Sequence, residues 1–240
     1  MTALPLAFLH LDPALNYPDP AWRQAMESLP ASSPIPSPRR AVSKLPGPWA
    51  LVVVGPNGAG KTTLYRARLS RLWPGVPFVN ADEMAYAQLG RYALDRQEAE
   101  LGQSMVSDRL DALVAAGEDF VWETVFSHPS RLDRLSAWRA QGYQVGLVLV
   151  HPGAADTSVA RVGKRVQEGG HPVPEEKIRS RFLRTPGLAA RASQEVDAAW
   201  WLDSSALSQP PRVVAHWRAG KCVSTQDACP DWVDALLSAV

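Results

Sequence analysis

Trp49-Ala50-Leu51-Val52-Val53-Val54-Gly55-Pro56-Asn57-Gly58-Ala59-Gly60-Lys61-Thr62-Thr63 is the stretch whose reading decides the fold. It opens on an unbroken apolar run, the pattern of a strand buried on both faces. A glycine-rich turn follows, and Lys-Thr-Thr then opens a helix. This is G-x-x-x-x-G-K-[ST], the phosphate-binding P-loop, set between a strand and a helix as the motif requires. Gly55, Gly58 and Gly60 let the backbone wrap a polyphosphate, so that successive N–H groups and the helix N-terminus point at anionic oxygens. Lys61 has the reach for the β- and γ-phosphates, and the Thr62 hydroxyl suits Mg²⁺. A glycine turn that ends in Lys-Thr by accident is the competing reading, and the apolar run directly before it argues against that. The expectation is therefore ATP and Mg²⁺ at Gly55, Pro56, Asn57, Gly58, Ala59, Gly60, Lys61, Thr62 and Thr63.

At 240 residues, of which 46% are hydrophobic, the chain can bury a sizeable core. A net charge of +1 gives no global reason for a nucleic-acid or acidic-membrane partner. Cys222 and Cys229 read as two unrelated thiols; their spacing permits a disulfide, and nothing requires one. No apolar run approaches a membrane span, and the mildly apolar start lacks a basic region and contains Pro5. The compartment expected is the cytoplasm.

Ten of the 21 prolines fall in the first 48 residues. Residues 1–44 read as a proline-rich extension with one short helix over Asp19–Leu29, residues 45–208 as the core, and residues 209–240 as a C-terminal strand and helix packed on it. From Trp49 onward strands and helices alternate. Strands are expected at Val76–Ala81, Phe120–Trp122, Val145–Val150 and Ala198–Leu202, with Arg212–Trp217 as an edge strand. Helices are expected from Lys61 to Leu72, as one long element between Asp82 and Gly117, at Pro129–Ala140, at Ala154–Gln167, from Glu175, and at Asp231–Val240. The fold class is α/β, a three-layer α/β/α P-loop NTPase fold with a mainly parallel sheet and a helical lid over about residues 160–186. Ligands then gather at the carboxyl ends of the strands. Trp200-Trp201 reads as core.

Asp82, Glu123 and Asp203 each follow an apolar strand. Asp82 suits a general base that takes a proton from an acceptor hydroxyl, with helix capping as its alternative. Glu123, next to Thr124, suits Mg²⁺ through water or the acceptor itself, with a structural ion pair as its alternative. Asp203 reads as a cap or ion pair. The strand that ends at His151 carries no acid, so the magnesium partner lies elsewhere. Positive charge collects in Arg161-Val162-Gly163-Lys164-Arg165, Lys177-Ile178-Arg179-Ser180-Arg181 and Arg184, around the hinge Gly169-Gly170-His171-Pro172. This composition suits a lid that closes arginines over a triphosphate. A solvated basic face or an RNA patch is the alternative, and the sparse aromatics there disfavour single-strand binding.

The P-loop, Asn80-Ala81-Asp82-Glu83, Glu123-Thr124 and the stretch Arg161-Val162-Gly163-Lys164-Arg165-Val166-Gln167-Glu168-Gly169-Gly170-His171-Pro172-Val173-Pro174-Glu175-Glu176-Lys177-Ile178 together resemble the zeta-toxin family of P-loop kinases. Toxic members of that family phosphorylate the 3′-hydroxyl of the amino sugar of UDP-N-acetylglucosamine with ATP and Mg²⁺. The resemblance implies Lys61 and Thr62 at the phosphates and Mg²⁺, Asp82 as catalytic base with Glu83 beside the substrate, and Glu123 near the acceptor. It implies Arg165 and either Arg179 or Arg181 as lid arginines, with Arg161 at the nucleotide, and an antitoxin protein as partner. The same residues leave open another acceptor (an antibiotic, a nucleoside, a polynucleotide end) or a nucleotide-binding regulatory module that transfers nothing.

Overall fold

The computed structural model describes residues 47–206, 209–225 and 229–239. The proline-rich extension and its expected helix lie outside the described residues. Trp49–Val54 form β1, every residue of it buried. The chain continues through α1, which runs as Lys61–Leu64, a π-helical stretch Tyr65–Leu69, and Ser70–Leu72. Then come β2 (Phe78–Asn80), α2 (Ala81–Leu89), α3 (Arg96–Ala115), β3 (Phe120–Thr124), α4 (Ser130–Ala140) and β4 (Gln144–His151). The remainder is α5 (Ala155–Gln167), α6 (Glu175–Glu195), β5 (Ala198–Asp203), β6 (Arg212–Arg218), β7 (Lys221–Thr225) and α7 (Asp231–Leu237).

The strands form one seven-stranded sheet in the order β2-β3-β1-β4-β5-β6-β7. The pairs from β2 to β5 are parallel, and β6 and β7 join antiparallel at one side. Because side chains alternate along a strand, β1 divides its residues between two cores. Ala50, Val52 and Val54 pack with Trp122, Leu147 and Trp201 under α3, α4 and α6. Leu51 and Val53 pack with Val148, Trp200 and Leu202 under Leu64 and Leu69 of α1. That gives the α/β/α layering expected of a P-loop NTPase fold, and it sends the adjacent tryptophans Trp200 and Trp201 to opposite sides.

Several boundaries differ from expectation. β2 stops at Asn80, whose side chain accepts the Glu83 N–H at 3.0 Å and so caps α2. Asp82 therefore sits in the first turn of a helix, and Asn80 does the capping. The expected single long helix is two: Gly90 ends α2 at a φ of 70°, and the Asp95 carboxylate caps α3 by accepting the Glu98 N–H at 2.8 Å. Glu123 and Asp203 are the closing or near-closing residues of β3 and β5 rather than residues beyond them. β6 is not the edge, since β7 pairs outside it. Cys222 and Cys229 are not joined in a disulfide. Among the described residues no helix is long and apolar enough to cross a membrane.

Candidate active site

Between β1 and α1 the loop turns through positive φ at Gly55, Gly58 and Gly60. Gly58, at a φ of 74°, packs so closely on α5 that a Cβ there would meet the Ser158 carbonyl oxygen at 2.7 Å. A Cβ on Gly55 would run into the Val150 carbonyl oxygen. Glycine is thus required at both positions by neighbouring backbone as well as by conformation.

Lys61 is 7% exposed, and its Nζ donates to the Pro56 carbonyl at 3.0 Å. Glu123 Oε1 stands 4.0 Å from that ammonium. Burial pushes the Lys61 pKa down, while Glu123 and then Asp82 pull it back up. The Glu123 carboxyl is pushed up by its own burial, and Lys61 and the Thr62 hydroxyl oppose that. The Thr62 hydroxyl lies 2.8 and 3.1 Å from the two Glu123 oxygens, so it donates to one carboxylate across the β1–β3 pair. Parallel pairing sets this meeting, because Glu123 stands opposite Val53 and Asn80.

A cleft of about 1600 Å³ opens above these residues at the carboxyl ends of the strands. The loop from Asn57 to Thr63 lines it, with Asp82, Glu123 and Thr124 on one side and Arg161, Arg165 and Arg181 on the other. Asp82 is exposed to the cleft. The arginines come from α5 and α6, and Arg161 and Arg181 reach the loop itself. Arg161 donates to the Ser204 carbonyl at 2.6 Å and to the Gly58 carbonyl at 3.4 Å. Arg181 donates to the Asn57 side chain at 3.0 Å, with its pKa pushed down by burial and drawn up by Asp82. Arg165 donates to the His171 carbonyl at 2.7 Å, tying α5 to the hinge, and its buried Nε has no hydrogen-bond partner.

Two expected residues point elsewhere. Arg179 leaves the cleft to pair with Glu175 and Asp156, each at 2.8 Å. Two residues apart on one helix, Arg179 and Arg181 face nearly opposite ways, and Arg181 is the one on the ligand side. Glu83 turns outward to Arg66 at 2.7 Å, while its neighbour Asp82 faces in. Asp203 pairs with Arg212 at 3.4 Å and accepts from Ser205, which matches its ion-pair reading. The Thr124 hydroxyl accepts the Phe126 N–H at 3.3 Å.

The reading of the sequence missed Ser204, whose hydroxyl donates to the Ala59 carbonyl at 2.8 Å and braces the loop. Its place directly after β5 was the available signal. It also missed Arg131, which lines the cleft, as do Lys177 and Arg184 of the expected basic lid.

Among solved structures, a chain from the complex of AvrRxo1-ORF1 and AvrRxo1-ORF2 with ATP aligns at a TM-score of 0.61 and 17% identity, over 79% of this chain. This chain spans 63% of the length of that one. The same complex with sulphate ions gives 0.62 at 17% identity, over 96% of this chain and 71% of the other. At such identity the likeness is one of fold. The PezAT toxin–antitoxin system of Streptococcus pneumoniae aligns over 99% of this chain and 88% of that one at 14% identity, but at a TM-score of 0.49, too low to bear on function. No curated protein matches the sequence. A family model described as an AAA domain matches residues 51–182, 132 of the 240 residues (182 − 51 + 1), from β1 into α6. With more than half of its length so matched, the chain belongs to the AAA domain family.

Proposed function

We propose that this chain is an ATP-dependent kinase that moves the γ-phosphoryl group onto a hydroxyl of a small molecule. The observation that carries the reading is the convergence of Lys61, Thr62, Asp82, Glu123, Arg165 and Arg181 on one cleft. A nucleotide-binding regulatory module needs the loop but has no use for an exposed carboxylate opposite arginines.

In this reading Asp82 accepts the proton of the acceptor hydroxyl. The freed oxygen attacks the γ-phosphorus, the bond to the β–γ bridging oxygen breaks, and ADP departs. Lys61, Arg165 and Arg181 bear on the negative charge of the transferring group, and their worth is greatest where water is excluded. Among the described residues no trio of His, Cys, Asp or Glu could cage a metal ion. Mg²⁺ asks for less, since it keeps several waters and takes one or two protein oxygens beside the substrate phosphates. The Thr62 hydroxyl and Glu123 carboxylate, already in contact, fit that demand. When bound, Mg²⁺ would neutralise charge on the phosphates.

The resemblance to zeta toxins makes the 3′-hydroxyl of the amino sugar of UDP-N-acetylglucosamine the leading acceptor. A protein partner of the antitoxin kind belongs to the same proposal. AvrRxo1-ORF1, which shares the fold, is in complex with AvrRxo1-ORF2. The test is incubation with γ-labelled ATP, Mg²⁺ and a panel of UDP-N-acetylglucosamine, nucleosides, aminoglycosides and oligonucleotide ends. Label on a small-molecule hydroxyl supports the reading. Label on none, with tight ATP binding, supports the regulatory module.

A further inference from the structure

Arg131 has no place in the chemistry above, yet it is the most conspicuous cation on the acceptor side of the cleft. It lies in the first turn of α4, and its guanidinium carbon is 5.3 Å from the centre of the Trp122 ring. One Nη donates to the Gln103 side chain at 3.2 Å. Burial depresses its pKa, and the one charge that acts appreciably on it is another cation, Arg134. Among the described residues no carboxylate pairs with it. The acid on the same wall, Glu100, is taken by Arg96 at 2.6 Å. A half-buried guanidinium without a counter-ion is costly, and the aromatic shelf repays only part of that cost.

A second cation without a carboxylate partner among the described residues, Arg184, lines the same cleft. The Thr185 hydroxyl donates to the Val125 carbonyl at 2.9 Å, which pins α6 to the segment that leads from β3 into α4. Arg184 is the residue before Thr185, and its charge bears on Arg181. Among the described residues it donates to the Ser180 carbonyl at 3.3 Å, and no carboxylate pairs with it. Neither residue touches the P-loop, which is served by Lys61, Arg161 and Arg181.

We infer that Arg131, steadied on Trp122, is a specificity-determining residue that binds a phosphate or diphosphate group carried by the acceptor. The inference rests on the kinase reading for the word acceptor, but the anion subsite itself does not depend on transfer. The planar fork of Arg131 offers paired donors that match phosphate oxygens, and its contact with the indole fixes the direction of the fork. A neutral acceptor would leave the Arg131 charge unmet. The site thus selects phosphorylated metabolites such as nucleotide sugars over free sugars and aminoglycosides.

The test is calorimetric titration of protein saturated with Mg²⁺ and a non-hydrolysable ATP analogue, with UDP-N-acetylglucosamine, inorganic pyrophosphate and free N-acetylglucosamine as probes. Arg131→Met keeps the packing on Trp122 and removes the charge. Arg131→Lys keeps the charge and removes the fork. The phosphate-bearing probes should bind wild type, weaken at least tenfold in Arg131→Met and weaken less in Arg131→Lys, while the free sugar binds poorly to all three. Affinity for the ATP analogue in each variant reports that the fold is intact. Equal affinity of a phosphate-bearing probe for wild type and Arg131→Met overturns the subsite, as does failure of wild type to bind either such probe. Binding that follows this pattern, with no phosphorylated product from any acceptor, would uphold the subsite and sink the kinase reading instead.

Discussion

The Thr62 hydroxyl sits within hydrogen-bonding distance of both Glu123 oxygens, 2.8 and 3.1 Å away, and so joins the first turn of the P-loop helix to the end of strand β3. Lys61 completes the group at 4.0 Å. Three polar residues from two elements thus share one buried charge balance, in which removal of any member exposes the others.

Glu123→Gln is expected to keep the contact with Thr62 and lose the negative charge. Half-saturating Mg²⁺ for phosphotransfer should rise about 10–100-fold, the usual scale for a partner that tunes a metal. Titration of activity against Mg²⁺ at saturating ATP checks this. An unshifted Mg²⁺ curve would assign Glu123 to the ion pair with Lys61 alone.

Asp82→Asn should lower turnover about 10²–10⁴-fold, the range for loss of a general base. Affinity for a non-hydrolysable ATP analogue should stay as in wild type, because Asp82 is exposed to the cleft and caps nothing. Retention of full turnover would remove the base assignment.

Gly58→Ala should destabilise the protein by about 1–3 kcal/mol, since a methyl group at a φ of 74° would press on the Ser158 carbonyl. The rise in melting temperature produced by Mg²⁺ and ATP should shrink as well, because the loop can no longer close on α5. Thermal melts with and without nucleotide separate the two effects.

His151 supplies a pH dependence. It is buried between Trp232, stacked 4.2 Å away, and Phe182 at 5.1 Å. Burial pulls its pKa down from 6.5 to about 4, against a weaker upward pull from Asp203. The unfolded chain therefore binds a proton near pH 6.5 that the native state refuses until about pH 4. Stability from this group is complete above pH 6.5 and declines as pH falls through that window, by on the order of 3 kcal/mol. Urea midpoints at pH 7 and pH 4.5 should differ more for wild type than for His151→Gln. Parallel pH profiles would show that His151 does not titrate in that window.

The fold was legible because its strands are buried on both faces and read as plain apolar runs, and because the P-loop tied the first of them to a helix. Asp82 and Glu123 were findable from strand ends alone. Other features needed three dimensions. Arg179 and Arg181 are equally basic in sequence, and only the phase of α6, set by burial of Ile178 and Thr185, turns one inward. The break between α2 and α3 was written in Gly90 and Asp95 but was masked by continuous helical spacing on either side. β7 carries Lys221, Cys222, Ser224 and Thr225, too polar a run to announce a strand. Arg131 was invisible because its meaning lies in Trp122 beneath it and in the lack, among the described residues, of a carboxylate to pair with it.

The central claim is phosphoryl transfer to a small-molecule hydroxyl with Asp82 as base. Its most direct test is mass spectrometry of a metabolite extract incubated with the protein and Mg-ATP, wild type beside Asp82→Asn. The account predicts that wild type converts one metabolite to a form heavier by a single phosphoryl group, with loss of ATP and gain of ADP in equal measure, and that Asp82→Asn leaves it unconverted. ATP bound but not consumed, or the same product from both proteins, would contradict it.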